Sequence, residues 1–577
     1  MRSPTPEQTS SITAPLALVG VGLAFAALPV AGQTVFWAFL LVALSISVRI
    51  LFFRKNRRLP PLSVKLLVLA GGLGGVLLQF GTIVGVEAGL SVLLVLVSLK
   101  FLEAASRRDL QVLTLLGFFL ALCDLFFAQD LSRWVYVGGV LAWLTLAVVF
   151  SHTNGLPGGF RAAVRTTVLL FLQALPLICI LFLFFPRIYG GFRFQFSRSL
   201  QSGTGMSDLM QPGSMASLAL RHDIALQVSF PDGNLPSQAD MYWRGLVLWR
   251  GDGLSWVRVD NLSTEKRKNT LSGPSIRQRI VLQPHGGRWL FALDRPASII
   301  QRTSLEPGGY LRSHRQIFYP MSYEVVSRPE NRELTLHEDQ LAIALQQPQN
   351  VSPRVRALAE SWRTVAQSDA DIVAAALAFF RTNGFAYSLT PGIYGQNELE
   401  SFLFDRRLGF CEHYAGAFAS LMRLAGVPSR VVLGYHGGQF NRHGNYVTVR
   451  QSDAHAWCEV WLKGKGWQRV DPTSVIAPER ITAGFESYIE SQAAQGSGTG
   501  PNVKGFASWQ NAIRDFRLVW DSLAYRWDLW ILNFDEEGQR SFLLMLGMGA
   551  WEWTSIAGML AVGVLFFVGL VGILDPP

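Results

Sequence analysis

The chain has 577 residues, more than one domain holds, and its composition is 50% hydrophobic with only 16% charged residues. That balance excludes an ordinary soluble globule and points to membrane segments. The formal net charge is +10, yet residues 1–190 hold fourteen Lys and Arg against six Asp and Glu, and the rest is nearly balanced. The excess therefore follows membrane topology, and no nucleic-acid partner is expected.

After a polar start, MRSPTPEQTSSITAP, apolar runs lie at Leu16–Ala31, Val35–Phe53, Leu62–Val84, Ala88–Leu102, Leu110–Ala128, Trp134–Phe150 and Thr167–Phe185. Most approach the length that spans a bilayer as a helix, about 20 residues. The first run lacks a positive leader and is followed at once by another, so it reads as a span and not as a removable signal peptide. Alternate loops carry Arg54, Lys55, Arg57 and Arg58, then Arg107 and Arg108, then Arg161 and Arg165. The opposite loops carry only Arg133. The positive side is cytoplasmic, so the chain after Arg187 is expected outside the membrane. Arg49, Lys65 and Lys100 sit near cytoplasmic ends, where they can snorkel. Asp124 reads as a wetted helix end near the outer face.

From Phe192 to Leu345 the pattern turns to short β-prone runs: Ile224–Phe230, Met241–Val247, Ser255–Val259, Arg279–Gln283, Trp289–Ala292 and Met321–Val326. They predict a separate β-rich domain, a small sandwich, with Trp243, Trp249 and Trp256 in its core. Helical periodicity returns at Val355–Gln367 and at Asp369–Asn383, the latter capped by Ser368 or Asp369. The stretch LTPGIYGQNELESFLFDRR reads as a loop, and with the glycine-rich Gly434–Gly444 it makes a candidate wall of a substrate cleft.

The chemistry concentrates between Leu408 and Thr473. Cys411 opens a predicted helix whose apolar or small positions are Cys411, Ala415, Phe418, Ala419 and Met422, and which Gly426 and Pro428 end. A cysteine in the first turn meets free N–H groups and the positive end of the dipole, which favour a thiolate. The Cys411 N–H is also a candidate oxyanion donor. Strands follow at Arg430–Tyr435, Asn445–Arg450, Ala454–Leu462 and Trp467–Val470. In the third, His455, Trp457, Glu459 and Trp461 share one face, and Cys458 points to the other. Asp471 leaves the end of the fourth. A thiol, an imidazole that moves its proton and a carboxylate that fixes the ring are what acyl transfer through a thioester requires. Asp453, on the His455 face, competes with Asp471 as the orienting acid. A disulfide between Cys411 and Cys458 is the rival reading of the thiols. His413 lies about 200° around the helix from Cys411 and reads as structural, Glu412 as a partner of the helix dipole. No metal-ligand spacing and no phosphate-cradling glycine motif stands out, so no cofactor is expected.

The blocks GFCEHYA, GVPSRVVLGY, DAHAWCEVW and GWQRVDPT, in that order, resemble the transglutaminase-like core, the circularly arranged relative of papain-type thiol enzymes. Within that superfamily the whole chain looks like the membrane-anchored bacterial type known as TgpA. The resemblance implies Cys411 as nucleophile, His455 as base and Asp471 as orienter. It also implies a helix packed on an antiparallel sheet, and neither metal nor cofactor. A protein or peptide substrate carrying glutamine, and an amine acceptor such as lysine, are implied in the same way. The oxyanion-hole tryptophan of animal transglutaminases has no assigned counterpart; Trp362 is the nearest one upstream.

Beyond the core, Gln492–Asn502 reads as a linker. Trp509–Phe534 reads as a helix at the membrane interface, and Thr554–Leu574 as a last span. The expected fold is thus an α-helical transmembrane bundle (1–190), a β-rich extracytoplasmic domain (191–345) and an α+β papain-like core (346–490). A linker with juxtamembrane helix (491–541) and a C-terminal transmembrane helix (542–577) complete it. The expected function is a glutamine γ-glutamyltransferase outside the cytoplasmic membrane. The alternatives are a thiol peptidase or amidase on cell-envelope peptides, and a non-catalytic scaffold.

Overall fold

A computed structural model describes residues 6–32, 36–54, 60–125, 130–184, 206–263, 274–297, 300–318, 320–329, 333–392, 394–395, 397–496 and 504–533, with a few isolated positions beyond. Apart from those positions, the expected C-terminal span lies outside the described residues. The chain forms two compact units: 1–196 together with 534–577, and 197–533.

In the first unit the described residues form α-helices at Pro6–Ala27, Phe36–Arg54, Leu62–Phe80, Val86–Glu103, Arg107–Asp124, Leu131–Thr153 and Gly159–Phe184. Each expected apolar run falls on one of them. The first begins earlier than expected, inside the polar start. Three are long and apolar enough to cross a membrane, which suggests membrane insertion. The cations read as able to snorkel also have partners. Lys65 meets Glu103 at 3.0 Å, and Lys100 meets Asp109 at 2.6 Å. The Arg49 Nε donates to the Ala104 carbonyl at 3.0 Å. Asp124 is buried against Arg133 at 3.2 Å, an ion pair and not a wetted end.

In the second unit the expected division at 345 does not describe how the sheets are built. One five-stranded sheet runs in the order Gly466–Val470, Ala454–Leu462, Ser429–His436, Tyr242–Leu248, Ala292–Leu293. The other runs Met321–Ser327, Ile276–Leu282, Ile224–Ser229, Tyr446–Arg450, Gln439–Asn441. All pairings are antiparallel. Each of these two sheets thus joins a block of strands from one predicted domain edge to edge with a block from the other. The physical reason is partner choice. Alternation says which face of a strand is apolar, while its neighbour is set by which edge that face completes. Tyr242–Leu248 is buried at every position, as a central strand covered on both sides must be.

The helix Cys411–Leu424 packs on this sheet and is buried around its whole circumference. It begins where expected. Its Gly416 lies so close to the Leu254 backbone that a Cβ would stand 2.9 Å from the carbonyl oxygen. Trp243, Trp249 and Trp256 belong to the core, as expected. Helices Pro353–Val365 and Asp369–Thr382 match the periodicity, the second with a Ser368/Asp371 capping box. The stretch read as a loop before Cys411 instead winds into a turn at Glu398–Glu400 and a π-helical turn at Ser401–Arg406. The start of the expected linker, Gln492–Gly496, ends the helix Phe485–Gly496.

Candidate active site

Sequence places Cys411 at a helix start because Phe410, extended at φ −108° and ψ 176°, delivers the chain to the first turn. His413 closes that turn: its Nδ1 accepts from the Phe410 N–H at 3.3 Å, which gives it the structural role expected. His455 enters from the middle of the core sheet, opposite Gly434. Only glycine fits there. A Cβ on Gly434 would stand 2.0 Å from the Trp243 carbonyl oxygen, at the point where the pairing shifts register by a bulge.

The imidazole and the carboxylate meet. His455 Nε2 lies 2.8 Å from Asp471 Oδ2. The Tyr242 hydroxyl donates to the same oxygen at 2.9 Å, and the Thr473 N–H donates to Oδ1 at 2.9 Å. Burial pushes the Asp471 carboxyl up, but His455, His436 and the Tyr242 hydroxyl outweigh it and hold the group down at about 2. Asp453 does not compete. It lies in the 3-10 turn Gln451–Asp453, outside the strand, where its carboxylate accepts from the Arg450 N–H at 2.9 Å. Desolvation raises it to about 6.

Cys411 is wholly buried. Burial first, and the Glu412 carboxylate second, push the thiol well up. No hydrogen bond joins the sulfur to the imidazole: among the described residues His455 Nδ1 is buried and has no partner. Cys411 and Cys458 are both free thiols, and Cys458 donates to the Ala415 carbonyl at 3.1 Å. No cluster of side chains suited to a metal occurs among the described residues.

Three contributors escaped the sequence. Tyr242 stands 229 positions from Asp471, and nothing marks it within a β-prone run. Arg480 is buried beside the site, its guanidinium reaching the His436 and Asp453 carbonyls at only 3.5 and 3.4 Å. Glu412 does more than face a helix dipole. Its carboxylate accepts from the Gly213 N–H at 2.6 Å, the Ser214 hydroxyl at 3.1 Å and the Met215 N–H at 2.5 Å.

Residues 18–333 match the TgpA N-terminal domain, and residues 356–472 match the transglutaminase-like superfamily. A Pseudomonas aeruginosa protein named protein-glutamine gamma-glutamyltransferase is 36% identical over 531 residues, which cover 91% of this chain and 78% of that protein. A Bacillus subtilis protein, the uncharacterized YebA, is 31% identical over 136 residues, 22% of this chain and 18% of that protein. The crystal structure of the periplasmic domain of TgpA from Pseudomonas aeruginosa aligns at 40% identity with a TM-score of 0.47, covering 49% of this chain and 99% of that one.

Proposed function

Because the chain belongs to the TgpA family of transglutaminase-like proteins, we propose that it is a membrane-anchored protein-glutamine γ-glutamyltransferase working through a Cys411 thioester. Its substrate is a protein or peptide glutamine, and its acceptor is an amine. The supporting observation is the bond between His455 Nε2 and Asp471 Oδ2. With Nε2 occupied, the buried Nδ1 is the nitrogen free to move a proton.

The steps follow from these groups. Burial holds Cys411 as a neutral thiol, so its proton passes to His455 Nδ1 as the sulfur attacks the carboxamide carbon. Asp471 stabilises the imidazolium so formed, and Tyr242 fixes Asp471. The Cys411 N–H, at the helix start, faces the developing oxyanion. The imidazolium returns its proton to the departing ammonia. An amine then attacks the thioester carbon and gives a proton to the same nitrogen, the C–S bond breaks to leave an isopeptide bond, and the imidazolium returns that proton to the Cys411 sulfur. Placement outside the cytoplasmic membrane, with several N-terminal helices crossing it, follows from the loop charges.

A labelled-amine incorporation assay tests this, run beside a hydrolysis assay on the full chain. Amine uptake that disappears in Cys411→Ala is the expected result. Hydrolysis without uptake would turn the assignment to a peptidase, and uptake that survives the substitution would end the thioester mechanism.

A further inference from the structure

The helix Lys504–Asn533 has two apolar faces. One is held by the second sheet. The Tyr525 ring lies on Tyr446 with centroids 4.1 Å apart, and its hydroxyl donates to Ser229 Oγ at 3.0 Å. The Ser522 hydroxyl donates to Asn441 Oδ1 at 3.1 Å, and Asn441 Nδ2 donates to the Leu518 carbonyl at 2.9 Å. Leu529 completes the contact. The other face is largely exposed. Phe516, Val519, Leu523 and Trp530 are 69, 42, 50 and 50% exposed, with Trp520 and Trp527 half-buried between them. These six recur at steps of three and four, so they form one stripe about 100° wide, turned away from Leu518, Ser522, Tyr525 and Leu529. Asp521, Arg526 and Asp528 fall outside the stripe.

We propose that this stripe seats on the lipid–water interface of the bilayer, and that Lys504–Asn533 is a membrane-surface anchor of the second unit. Three tryptophans and a phenylalanine in one uncharged row, bordered by charges, match the interfacial zone, where amphipathic rings are favoured. The chain also continues from Asn533 towards the uncharged run at 554–574. Six side chains of one helix give less than the roughly 800 Å² per partner that a stable protein interface buries, which argues against a second copy as the occupant. Seating has a structural consequence. The opposite face grips Asn441, in the hairpin of the Gly434–Gly444 segment, so lipid contact steadies one candidate wall of the cleft.

The inference rests on the reading of the chain as membrane-inserted, and the test separates the two. The full chain is kept in native membranes, and p-benzoylphenylalanine replaces Val519 or Leu523, or, as a still more exposed control on another helix, Val365 (83% exposed). Illumination should give lipid adducts at Val519 and Leu523 about fivefold above those at Val365. Adducts to a second copy or another protein, or equal lipid adducts at all three positions, would overturn it. Membranes that release the whole chain on alkaline carbonate washing would instead remove the reading beneath it.

Discussion

Two buried carboxylates, Glu459 within Ala454–Leu462 and Asp471 just past the end of the neighbouring strand Gly466–Val470, are satisfied in opposite ways. Glu459 is enclosed by cations: Arg244 at Oε1, Arg295 on the same oxygen at 2.9 Å and Arg430 at Oε2 at 2.7 Å. Burial pushes it up, but those guanidiniums, Arg244 first, hold it far below the ordinary carboxylate range. Arg430 in turn lies over the Trp467 ring at 3.9 Å and reaches Glu333 at 2.9 Å. Asp471 has no guanidinium bonded to it. Its partners are an imidazole, a phenol and a backbone N–H. A carboxylate locked by permanent cations fixes structure, because no proton can move there. One tied to an imidazole with a spare nitrogen is coupled to a group that can gain and lose a proton. The difference lies in the partners and not in burial, which is nearly complete for both.

The proposed nucleophile gives the largest test of the reactive side of that comparison. Cys411→Ala should lower amine incorporation by about 10⁴-fold or more, with the thermal midpoint close to that of the parent. A large fall in the midpoint would show that the thiol is chiefly core.

The two carboxylates should then part company under the same kind of change. Asp471→Asn is expected to reduce kcat by about 10²- to 10⁴-fold with a modest effect on stability at neutral pH. Its folded-state value of about 2 lies below the unfolded value of about 3.9. Its stabilising contribution is therefore complete above pH ~4 and fades as pH falls through ~2. The asparagine variant should lack that acid limb. Glu459→Gln should do the reverse. It leaves three buried guanidiniums short of charge and should cost about 3–5 kcal/mol in denaturant unfolding, while the fraction that stays folded retains its kcat. Equal losses of activity and stability in both variants would erase the distinction.

How much of this could be read in advance depends on range. The start of the Cys411 helix and the strands that follow it were legible, because short-range pattern fixes each of them, while the choice of Asp471 as the partner of His455 came with the family resemblance. Parity put Cys458 away from His455, and its sulfur indeed faces Ala415 on the helix. Asp453 misled because alternation was extended one turn too far, into a 3-10 segment. Tyr242, Arg244 and Arg295 were invisible: their bonds to Asp471 and Glu459 cross 164 to 229 positions. The joining of strands from both predicted domains in one sheet was hidden for the same reason, since strand neighbours are chosen across the whole unit.

Tyr242 carries a smaller expected effect. Tyr242→Phe keeps the ring packed on Trp457 and His436 and removes one bond to Asp471. About 1 kcal/mol of that bond should appear as a severalfold fall in kcat with KM nearly unchanged. A change in KM alone would place the phenol on the substrate and not on the acid.

Glu412 supplies the smallest effect and the most selective test, because it is a third buried carboxylate held mainly by backbone and hydroxyl donors, with the His413 imidazole no nearer than 3.7 Å. Burial raises it to about 7 against the donors at Gly213, Ser214 and Met215. The folded state therefore keeps a proton that the unfolded chain gives up near pH 4.3, and stability should fall as pH rises from there through about 7, then level off. Glu412→Gln should flatten that slope. The same substitution removes a negative charge beside Cys411, whose thiol burial and Glu412 both push up. Above pH 7 the glutamine variant should be alkylated by iodoacetamide about two- to fivefold faster than the parent. Below pH 6, where Glu412 is already neutral, the two rates should coincide. Acceleration of equal size at both pH values would mean that the helix start had merely loosened, and that the charge of Glu412 has no hold on the sulfur.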